Sequence, residues 1–466
     1  MSKTIVLAFI LGAIGASAGE SSFDQFWQDM RTPDYAAKSA ASQRRLDWWR
    51  EARYGMFIHW NMSSVAAAEI SWGKMFNEGL GEELTPNPRP SAGPAAGRMQ
   101  KEVNGWRHEW MRPPVPGNLY DNLHKSFFPG MFDADHFVGQ AKQAGMKYIV
   151  QIAKHHDGFC MWDSQFTDYD IMATPFKRDI IAEMAKACEK AGMKFGIYYS
   201  QRDWHHSDYG PERMAKYNQY MRDQLRELLT AHPNISMVWF DSGGYPAELW
   251  ETETLFRMIH ELRPEIIINN RCGVPGDFDT PEQKMGSFNL TRDWESCMTF
   301  TGFWSWHGFQ TKVISYEECL EHLVRCAGGN GNLLMNIGPM PTGEIDPREA
   351  DRMQRVGDWL KINSEAIYGT RGGPYLPAEN HVSTRKENSV FLHVLGWDSE
   401  TIKLPALPGK VLQASLLTGA IVKFEQKENS LEVTVPVELR QPGATTVKLQ
   451  LEASAMDLAP IDKMKQ

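Results

Sequence analysis

The feature that most constrains the fold of this chain is the alternation of short apolar runs with amphipathic helical stretches between about residues 45 and 370. Several runs are apolar almost throughout, which is typical of strands buried on both faces of a sheet. The strand candidates are Tyr54–Trp60, Tyr148–His155, Phe195–Ser200, Met237–Asp241, Ile266–Asn270, Cys297–Thr301 and Leu333–Ile337. Strands that alternate with helices on this scale predict a parallel sheet.

Helical stretches separate these strands at regular intervals. They include Arg178–Lys190, Pro211–Ala231, Ala247–Leu262, Tyr316–Cys326 and Pro347–Asn363. Seven clear strands favour an α/β fold with a (β/α)8-like TIM barrel in which one unit is degenerate. The alternative is an open doubly wound sheet, but no GxGxxG follows the first strand, which weakens its dinucleotide-binding version.

The residue pattern of the sequence changes near residue 372. Short alternating strand candidates separated by turn residues follow, as in an antiparallel sheet. They are Val390–Val394, Lys410–Leu417, Ile421–Gln426, Leu431–Val435 and Thr445–Gln450. We therefore expect a catalytic barrel over residues 19–371, a small β-sandwich over 372–455 and a frayed tail over 456–466.

Residues 1–18 have the pattern of a secretory signal peptide. Lys3 supplies the positive charge, Ile5–Gly15 is an apolar run, and Ala16-Ser17-Ala18 forms a small-residue cleavage site. This predicts a secreted or periplasmic protein. No other apolar run approaches the ~18 residues of a membrane span, so no membrane anchor is expected.

Charge and cysteine content indicate which classes of partner and how many disulfide bonds to expect. The net charge is −9 and no basic run occurs, so a nucleic-acid partner is not expected. The six cysteines are scattered through a large domain without close CxxC pairs, so we expect mostly buried thiols, with room for one bridged pair. Gly73–Pro116 is rich in Gly, Pro and charge, and reads either as a long active-site loop or as a disordered insertion.

Polar and aromatic residues gather where five successive strand candidates end. Barrel enzymes build their active sites at the C-terminal ends of the strands, so these side chains should meet at one mouth. The groups are His59-Trp60, His155-His156-Asp157, Tyr198-Tyr199-Ser200, Trp239-Phe240-Asp241 and Asn270-Arg271.

Asp241 is the strongest candidate for chemistry. It ends the apolar run Ile235–Phe240 and precedes Ser242 and two glycines, which let a substrate approach the backbone closely. A carboxylate held rigidly in this way can act as a nucleophile or a base. The commoner use of an aspartate after a strand is to cap the next helix, and the position alone leaves both readings open.

The pair His155-His156 raises the question of a metal site. Neighbours on a regular strand point to opposite faces and cannot chelate one ion. The sequence has no HExxH motif, and His205-His206 has no obvious third ligand nearby. Recognition of neutral hydroxyl groups fits imidazoles better, because each ring can donate and accept, and no metal is expected.

A set of ordered motifs resembles glycoside hydrolase family 29, the α-L-fucosidases. Seven segments occur in the family's order and cover most of the barrel, and the small β domain also resembles that family. The segments are Phe57-Ile58-His59-Trp60, Lys154–Phe159, Gly196–Ser200, Trp239-Phe240-Asp241, Asn269-Asn270-Arg271, Gly276–Glu282 and Asn332–Pro339.

The resemblance implies hydrolysis of terminal α-L-fucosides of an oligosaccharide or polysaccharide, with retention, through a covalent glycosyl-enzyme and without a cofactor. It makes Asp241 the nucleophile and Glu282 the acid/base, with Glu295 as the competitor. Glu282 follows a polar stretch stiffened by Pro281, whereas Glu295 stands beside Trp294, which favours an orienting role. The sugar would be held by His59, His155, His156, Tyr198, Trp239 and Arg271, with Trp306 as an aromatic wall near its methyl group.

The chain departs from the family pattern in the loop after the first strand. The usual Glu-Trp dipeptide is replaced by Glu69-Ile70-Ser71-Trp72, so either Glu69 or Trp72 could take its sugar-binding place. Asn61 and Ser242 stand where glycine is common. Two alternatives follow, namely the same mechanism on an α-L-galactoside, or a carbohydrate-binding protein without catalysis, although retention of the carboxylates argues against the latter.

Overall fold

The computed structural model describes residues 22–75, 115–210, 212–242 and 245–462. The predicted signal peptide lies outside the described residues. So do Gly243, Gly244 and most of the predicted loop Gly73–Pro116.

The strands of the first domain follow the predicted apolar runs. In chain order they are β1 (Tyr54–Ile58), β2 (Lys74–Met75), β3 (Val115–Pro116), β4 (Tyr148–Lys154), β5 (Lys194–Ser200), β6 (Ile235–Asp241), β7 (Ile267–Ile268), β8 (Glu295–Thr299) and β9 (Asn332–Ile337). Strands β2 and β3 pair only with each other, and the rest form one parallel sheet in the order β7-β6-β5-β4-β1-β9-β8.

Helices connect the strands and cover the outside of the sheet. They are α1 (residues 22–31), α2 (Ala40–Ala52), α3 (Gly117–Tyr120), α4 (Ala134–Gln143), α5 (Ile180–Ala191), α6 (Met214–Ala231), α7 (Thr252–Leu262), α8 (Tyr316–Gly328) and α9 (Pro347–Asn363). Their ends follow local chemistry. Ser315 and Glu318 form a capping box at the start of α8, and Pro347 occupies the first turn of α9 behind its cap Asp346.

The segment between β7 and β8 closes the sheet into a barrel. Phe278 bridges in parallel to Asn269 beside β7, while Asp279 bridges to Trp294 and Glu282 to Cys297 on the β8 side. This rudimentary strand occupies the eighth position, which confirms a barrel with one degenerate unit and rules out an open doubly wound sheet. It also places Glu282 at the barrel wall.

Strands β1, β4, β7 and β8 end one or two residues earlier than predicted, and local contacts give the reason for β7 and β4. β7 is only two residues long, because the side chain of Asp277 accepts a hydrogen bond from the Ile268 N–H at 2.8 Å and the Asp277 N–H donates to the Ile268 carbonyl. β4 ends at Lys154, one residue before His155, and its register with β5 shifts between Ile152 and Lys154.

The C-terminal region folds into antiparallel sheets with their own apolar core. Its strands are β10 (Arg371–Gly372), β11 (His381–Lys386), β12 (Ser389–Val394), β13 (Thr401–Pro405), β14 (Val411–Leu416), β15 (Lys423–Gln426), β16 (Ser430–Thr434) and β17 (Thr445–Leu451). They form a five-stranded sheet, β10-β11-β12-β17-β14, and a three-stranded sheet, β13-β16-β15. The Trp359 indole of α9 donates to the Ala444 carbonyl and joins this region to the barrel.

The last described residues pair with the segment that leads into β11. Ile461 pairs with Tyr375, and its N–H donates to the Pro374 carbonyl at 2.8 Å. Within the segment predicted to be a tail, backbone pairing thus extends to residue 461.

The structure also shows the state of the cysteines and the character of the described helices. All six cysteines are buried free thiols, which confirms the prediction of buried thiols and leaves no bridged pair. Among the helices that the structure describes, none combines the length and the apolar character needed to cross a membrane.

Candidate active site

Three histidines from the ends of β1 and β4 lie together at the mouth of the barrel. The ring of His155 stacks on Tyr198 with centroids 5.3 Å apart, and lies 5.8 Å from His59 and 4.2 Å from His156. His155 and His156 both face this cluster because β4 ends at Lys154. Neighbouring residues point to opposite faces only within a regular strand, and these two lie beyond it.

Hydrogen bonds fix the tautomers of two of these rings. Asn336 on β9 donates its amide N–H to the Trp304 carbonyl, so its oxygen must accept from Nδ1 of His59, 2.6 Å away. Ser200 donates its only hydroxyl proton to the Arg202 carbonyl, so its oxygen accepts from Nδ1 of His156. In both rings Nε2 is left as an acceptor.

Burial keeps these imidazoles neutral. It lowers the pKa of His59 and of His155 well below the usual value, with the neighbouring rings His155 and His156, respectively, as the next cause. For His156 burial lowers the pKa to about 3, although Asp241 acts in the opposite direction. The described residues include no group of three His, Cys, Asp or Glu side chains placed to hold a metal ion.

Asp241 ends β6 at the centre of this cluster. Its carboxylate accepts hydrogen bonds from the Tyr198 hydroxyl at 3.0 Å and from Nη1 of Arg271 at 3.2 Å, and Nε2 of His156 lies 3.7 Å away. Burial would raise the pKa of Asp241, but Arg271, then His156 and Arg202, outweigh it and hold that pKa well below its usual range. Asp241 is thus an ionised carboxylate at the mouth of the barrel.

Arg271 connects Asp241 to a second carboxyl group. Its Nη2 donates to Glu282 at 2.8 Å, and its Nε donates to the Thr280 hydroxyl at 2.9 Å. The guanidinium lies 4.7 Å above the ring of Trp239. The Glu282 side chain is 43% exposed, against 17% for Asp241, so one carboxyl group is at the rim and the other is inside.

Glu295 lies beneath the site rather than in it. It is completely buried on β8, and its carboxyl group accepts from the indoles of Trp49 at 3.0 Å and Trp239 at 3.2 Å, and from the Tyr148 hydroxyl. Burial raises the pKa of Glu295 to about 7, while these donors pull it down. Its contacts orient Trp239 under Arg271.

Comparison with known proteins decides the family. A sequence profile described as alpha-L-fucosidase matches residues 25–365, which is most of the barrel and well over half of the chain. The chain belongs to the α-L-fucosidase family. The family resemblance and the barrel fold expected from the sequence are both confirmed.

Individual members of the family are similar over most of the chain. A putative α-L-fucosidase of Caenorhabditis elegans is 29% identical over 73% of this chain and 70% of its own length, and the human plasma α-L-fucosidase is 26% identical over 84% and 83%. Isoenzyme 1 from Paenibacillus thiaminolyticus superposes with a TM-score of 0.76 and 31% identity, covering 89% of this chain and all of its own.

A second solved structure bears on the chemistry of the family. It is a family 29 α-L-fucosidase of Bacteroides thetaiotaomicron trapped as a covalent intermediate with 2-fluoro-fucosyl fluoride. It superposes with a TM-score of 0.72 and 25% identity, covering 88% of this chain and 96% of its own.

The residues of the unusual first loop of this family member take different places. Trp72 packs edge-on against His156 and against Trp204, with centroids 5.5 and 5.2 Å apart, and so belongs to the cluster. Glu69 is 1% exposed and its carboxyl group accepts from the backbone N–H groups of Trp304 and Ser305, behind the cluster.

Two tryptophans of the loop after β8, Trp304 and Trp306, take different places. The Trp306 indole donates to Asp346 at 3.2 Å and its ring meets Phe309, and these contacts lead away from the histidines. The ring of Trp304 lies 4.6 Å from His59. The described contacts therefore bring Trp304, and not Trp306, to the histidine cluster.

Sequence reasoning also missed two polar groups that support the cluster. Arg202 is 5% exposed, lies on the loop after β5, and donates from Nε to the Ser242 carbonyl at 3.4 Å, next to the nucleophile candidate. Asn336 orients His59 from β9. Their positions could have indicated them, because Arg202 follows β5 and Asn336 lies near the end of β9, beside segments already named as site candidates.

Proposed function

We propose that this chain is a retaining exo-α-L-fucosidase with Asp241 as nucleophile and Glu282 as acid/base. The observation that carries the proposal is the shared guanidinium of Arg271, which contacts both carboxyl groups. Retaining hydrolysis needs its two carboxyl groups about 5–5.5 Å apart. Two groups held by separate nitrogens of one guanidinium suit that arrangement, and the trapped intermediate of the Bacteroides relative supports the same route.

In the first step Asp241 attacks the anomeric carbon, and the bond from that carbon to the leaving oxygen breaks. Glu282 gives its proton to that oxygen, which leaves as the alcohol of the aglycone. In the second step Glu282 takes a proton from water, and the resulting oxygen displaces Asp241 from the sugar. Two inversions give fucose with its original anomeric configuration, and both carboxyl groups return to their starting states.

Neutral acceptors on one side of the pocket would bind the sugar hydroxyl groups. Nε2 of His59 and of His156 each carry a lone pair, so each can accept one hydroxyl proton. His155, Tyr198, Trp239, Arg271 and Trp72 complete the surface around the nucleophile. A pocket with so many fixed partners suits one terminal sugar, and we take the substrate to be the fucosylated end of an oligosaccharide or polysaccharide.

Exposure supports Glu282 over Glu295 as the acid/base. The proton donor must reach an oxygen at the pocket edge and exchange protons with solvent, and the Glu282 side chain is 43% exposed. Glu295 is completely buried and occupied by three donors, so its proposed role is to hold Trp239 in place.

Trp304 supplies the apolar surface proposed for the fucose methyl group. Asp241, Tyr198, His59 and Trp304 follow one another across the pocket, so Trp304 is at the far end from the anomeric carbon. An α-L-galactoside adds one hydroxyl at that end, and an apolar pocket discriminates against such a group by only about 10²-fold. Weak galactosidase activity is therefore the second candidate function.

We also propose export of the protein, on the signal-peptide pattern of residues 1–18. A secreted or periplasmic enzyme would meet fucosylated glycans outside the cytoplasm.

The test of the proposed function is hydrolysis of aryl α-L-fucosides and α-L-galactosides, followed by NMR of the first-formed sugar. The proposal predicts fucosidase activity with the α-anomer formed first. An initial β-anomer would contradict retention, and binding of fucose without any turnover would favour a carbohydrate-binding protein.

A further inference from the structure

Glu69 is a buried carboxyl group that the mechanism above does not use. It lies on the loop after β1, yet its main contacts are with residues 235 and 236 positions further along the chain. Oε1 accepts from the N–H groups of Ile70 and Ser305, at 3.2 and 3.1 Å. Both oxygens accept from the Trp304 N–H, at 3.2 and 3.1 Å.

The Ser305 hydroxyl locks the same two loops from the other side. It donates to the Ala68 carbonyl at 2.8 Å and accepts from the Ile70 N–H at 2.9 Å. Gly338, just after β9, lets this loop sit directly on the strand end, since a Cβ there would lie 2.7 Å from the backbone of Ser305 and of Trp306. We call the contacts of Glu69 and Ser305 the loop latch.

The loop latch bears directly on the sugar pocket through Trp304. The ring of Trp304 lies 4.6 Å from His59, and its carbonyl accepts from Asn336, the residue that orients His59. Any shift of the Trp304 backbone would move the apolar wall and the acceptor of His59 together.

Glu69 cannot itself serve a sugar hydroxyl in this arrangement. It is 1% exposed, and its oxygens accept from three backbone N–H groups, those of Ile70, Trp304 and Ser305. The Glu-Trp place of the family is therefore filled by Trp72 alone, and Glu69 acts on the pocket only through the loop that it holds.

We propose that Glu69 is a positioning residue that latches the Trp304 loop over His59 and thereby sets the preference for a methyl over a hydroxymethyl group at C5 of the sugar. The proposal rests on the proposed function of the site. It predicts that loss of the latch erodes sugar discrimination, while the chemistry at Asp241 and Glu282 is retained.

The conservative variant Glu69→Gln should keep the latch. Its amide oxygen can accept from the N–H groups of Trp304 and Ser305, while the Ile70 N–H keeps the Ser305 hydroxyl oxygen as its acceptor. Its NH2 group can face Nε2 of His307, which lies 3.9 Å from Glu69 and has no hydrogen-bond partner among the described residues. Burial also raises the pKa of Glu69 to about 8, against the backbone donors, so a neutral amide matches its state near neutrality. Glu69→Ala, by contrast, leaves the Trp304 and Ser305 N–H groups without an acceptor.

The experiment measures kcat and KM for 4-nitrophenyl α-L-fucoside and α-L-galactoside in a double-mutant cycle. Trp304→Ala should lower the fucoside-to-galactoside ratio of kcat/KM by roughly tenfold or more. Glu69→Ala should lower it in the same direction, mainly through KM for the fucoside, and Glu69→Gln should restore it. In the Trp304→Ala background, Glu69→Ala should cause no further change in the ratio.

Multiplicative losses in the double variant, together with failure of Glu69→Gln, would show that Glu69 contacts the sugar directly and would overturn the proposal. Glu344→Gln, an exposed glutamate outside the latch, is the matched control and should leave the ratio unchanged. If Glu69→Ala does not fold, Ser305→Ala tests the same latch with a smaller expected effect.

Hydrogen exchange gives a readout that does not depend on turnover. The amides of Trp304 and Ser305 should be protected in the wild type and in Glu69→Gln, and should exchange faster in Glu69→Ala. Unchanged exchange would overturn the latch. An enzyme that hydrolyses neither glycoside but shows this exchange pattern would refute the proposed function and leave the latch intact.

Discussion

Removal of the Glu282 carboxyl group should separate substrates by the quality of their leaving group. The side chain is 43% exposed and its polar contact is with Nη2 of Arg271, so Glu282→Ala should fold like the wild type. A general acid contributes about 10²–10⁴-fold to the rate. An unactivated disaccharide needs that proton, so the rate of its first step should fall by this factor. The phenolate of 2,4-dinitrophenyl fucoside leaves without a proton, so the rate for that substrate should stay near the wild-type value.

The same change at Glu295 should act quite differently. Three donors, from Trp49, Tyr148 and Trp239, share its buried carboxyl group. An unsatisfied buried donor costs about 1–3 kcal/mol, so alanine would cost roughly 3–9 kcal/mol for three donors, comparable with the whole stability of many domains. Glu295→Gln is the informative variant, because its single oxygen still accepts two donors and only one is lost. It should lower Tm and slow both substrates by a similar factor.

The assay is single-turnover release of aglycone from both substrates, measured with each variant beside the wild type. It isolates the first step, so the second role of Glu282, as base toward water, does not mask the result. Selective loss on the disaccharide in Glu295→Gln, with parallel loss in Glu282→Ala, would reverse the assignment of the two glutamates.

Three other predictions follow from the site and the sequence. Arg271→Lys should lower kcat/KM by roughly 10²–10³-fold with the fold intact, since one ammonium cannot serve both Asp241 and Glu282, and near-normal kinetics would contradict this. In the folded protein His156 stays neutral down to about pH 3, whereas in the unfolded chain it binds a proton below about pH 6.5. The free energy of unfolding should therefore fall on acidification through this window, by up to about 5 kcal/mol. Urea titrations across this pH range should show a smaller fall for His156→Gln. The exported protein should begin near Gly19 on N-terminal sequencing, whereas a retained Met1 in a cytoplasmic fraction would refute export.

The parts of the fold that the sequence predicts are those with a strong local signal. The apolar runs that become β5 and β6 are almost unmistakable, since buried parallel strands allow few polar residues. The eighth position of the barrel gave no such signal. Asp277–Glu282 is polar because its side chains cap a strand and reach the mouth, and only the pairing of Asp279 and Glu282 with the β8 side makes it a strand.

The site was predictable where it coincides with strand ends, and not where distant loops meet. Asp241 ends β6 and Tyr198 lies two residues before the end of β5, and the structure brings them into direct contact. Trp304 and Trp306 are two residues apart in an irregular loop, and nothing local tells which ring turns inward. In the structure the Trp304 N–H donates to Glu69, which lies 235 residues earlier in the sequence.

A trapping experiment can show whether Asp241 forms a covalent bond with the sugar. Incubation with 2-deoxy-2-fluoro-α-L-fucosyl fluoride should slow the second step enough for the glycosyl-enzyme to accumulate. Peptide mapping by mass spectrometry should then find one fluorofucosyl group on Asp241, and none in Asp241→Ala. A label on Glu282, Glu295 or any other residue, or full turnover by Asp241→Ala, would contradict the account.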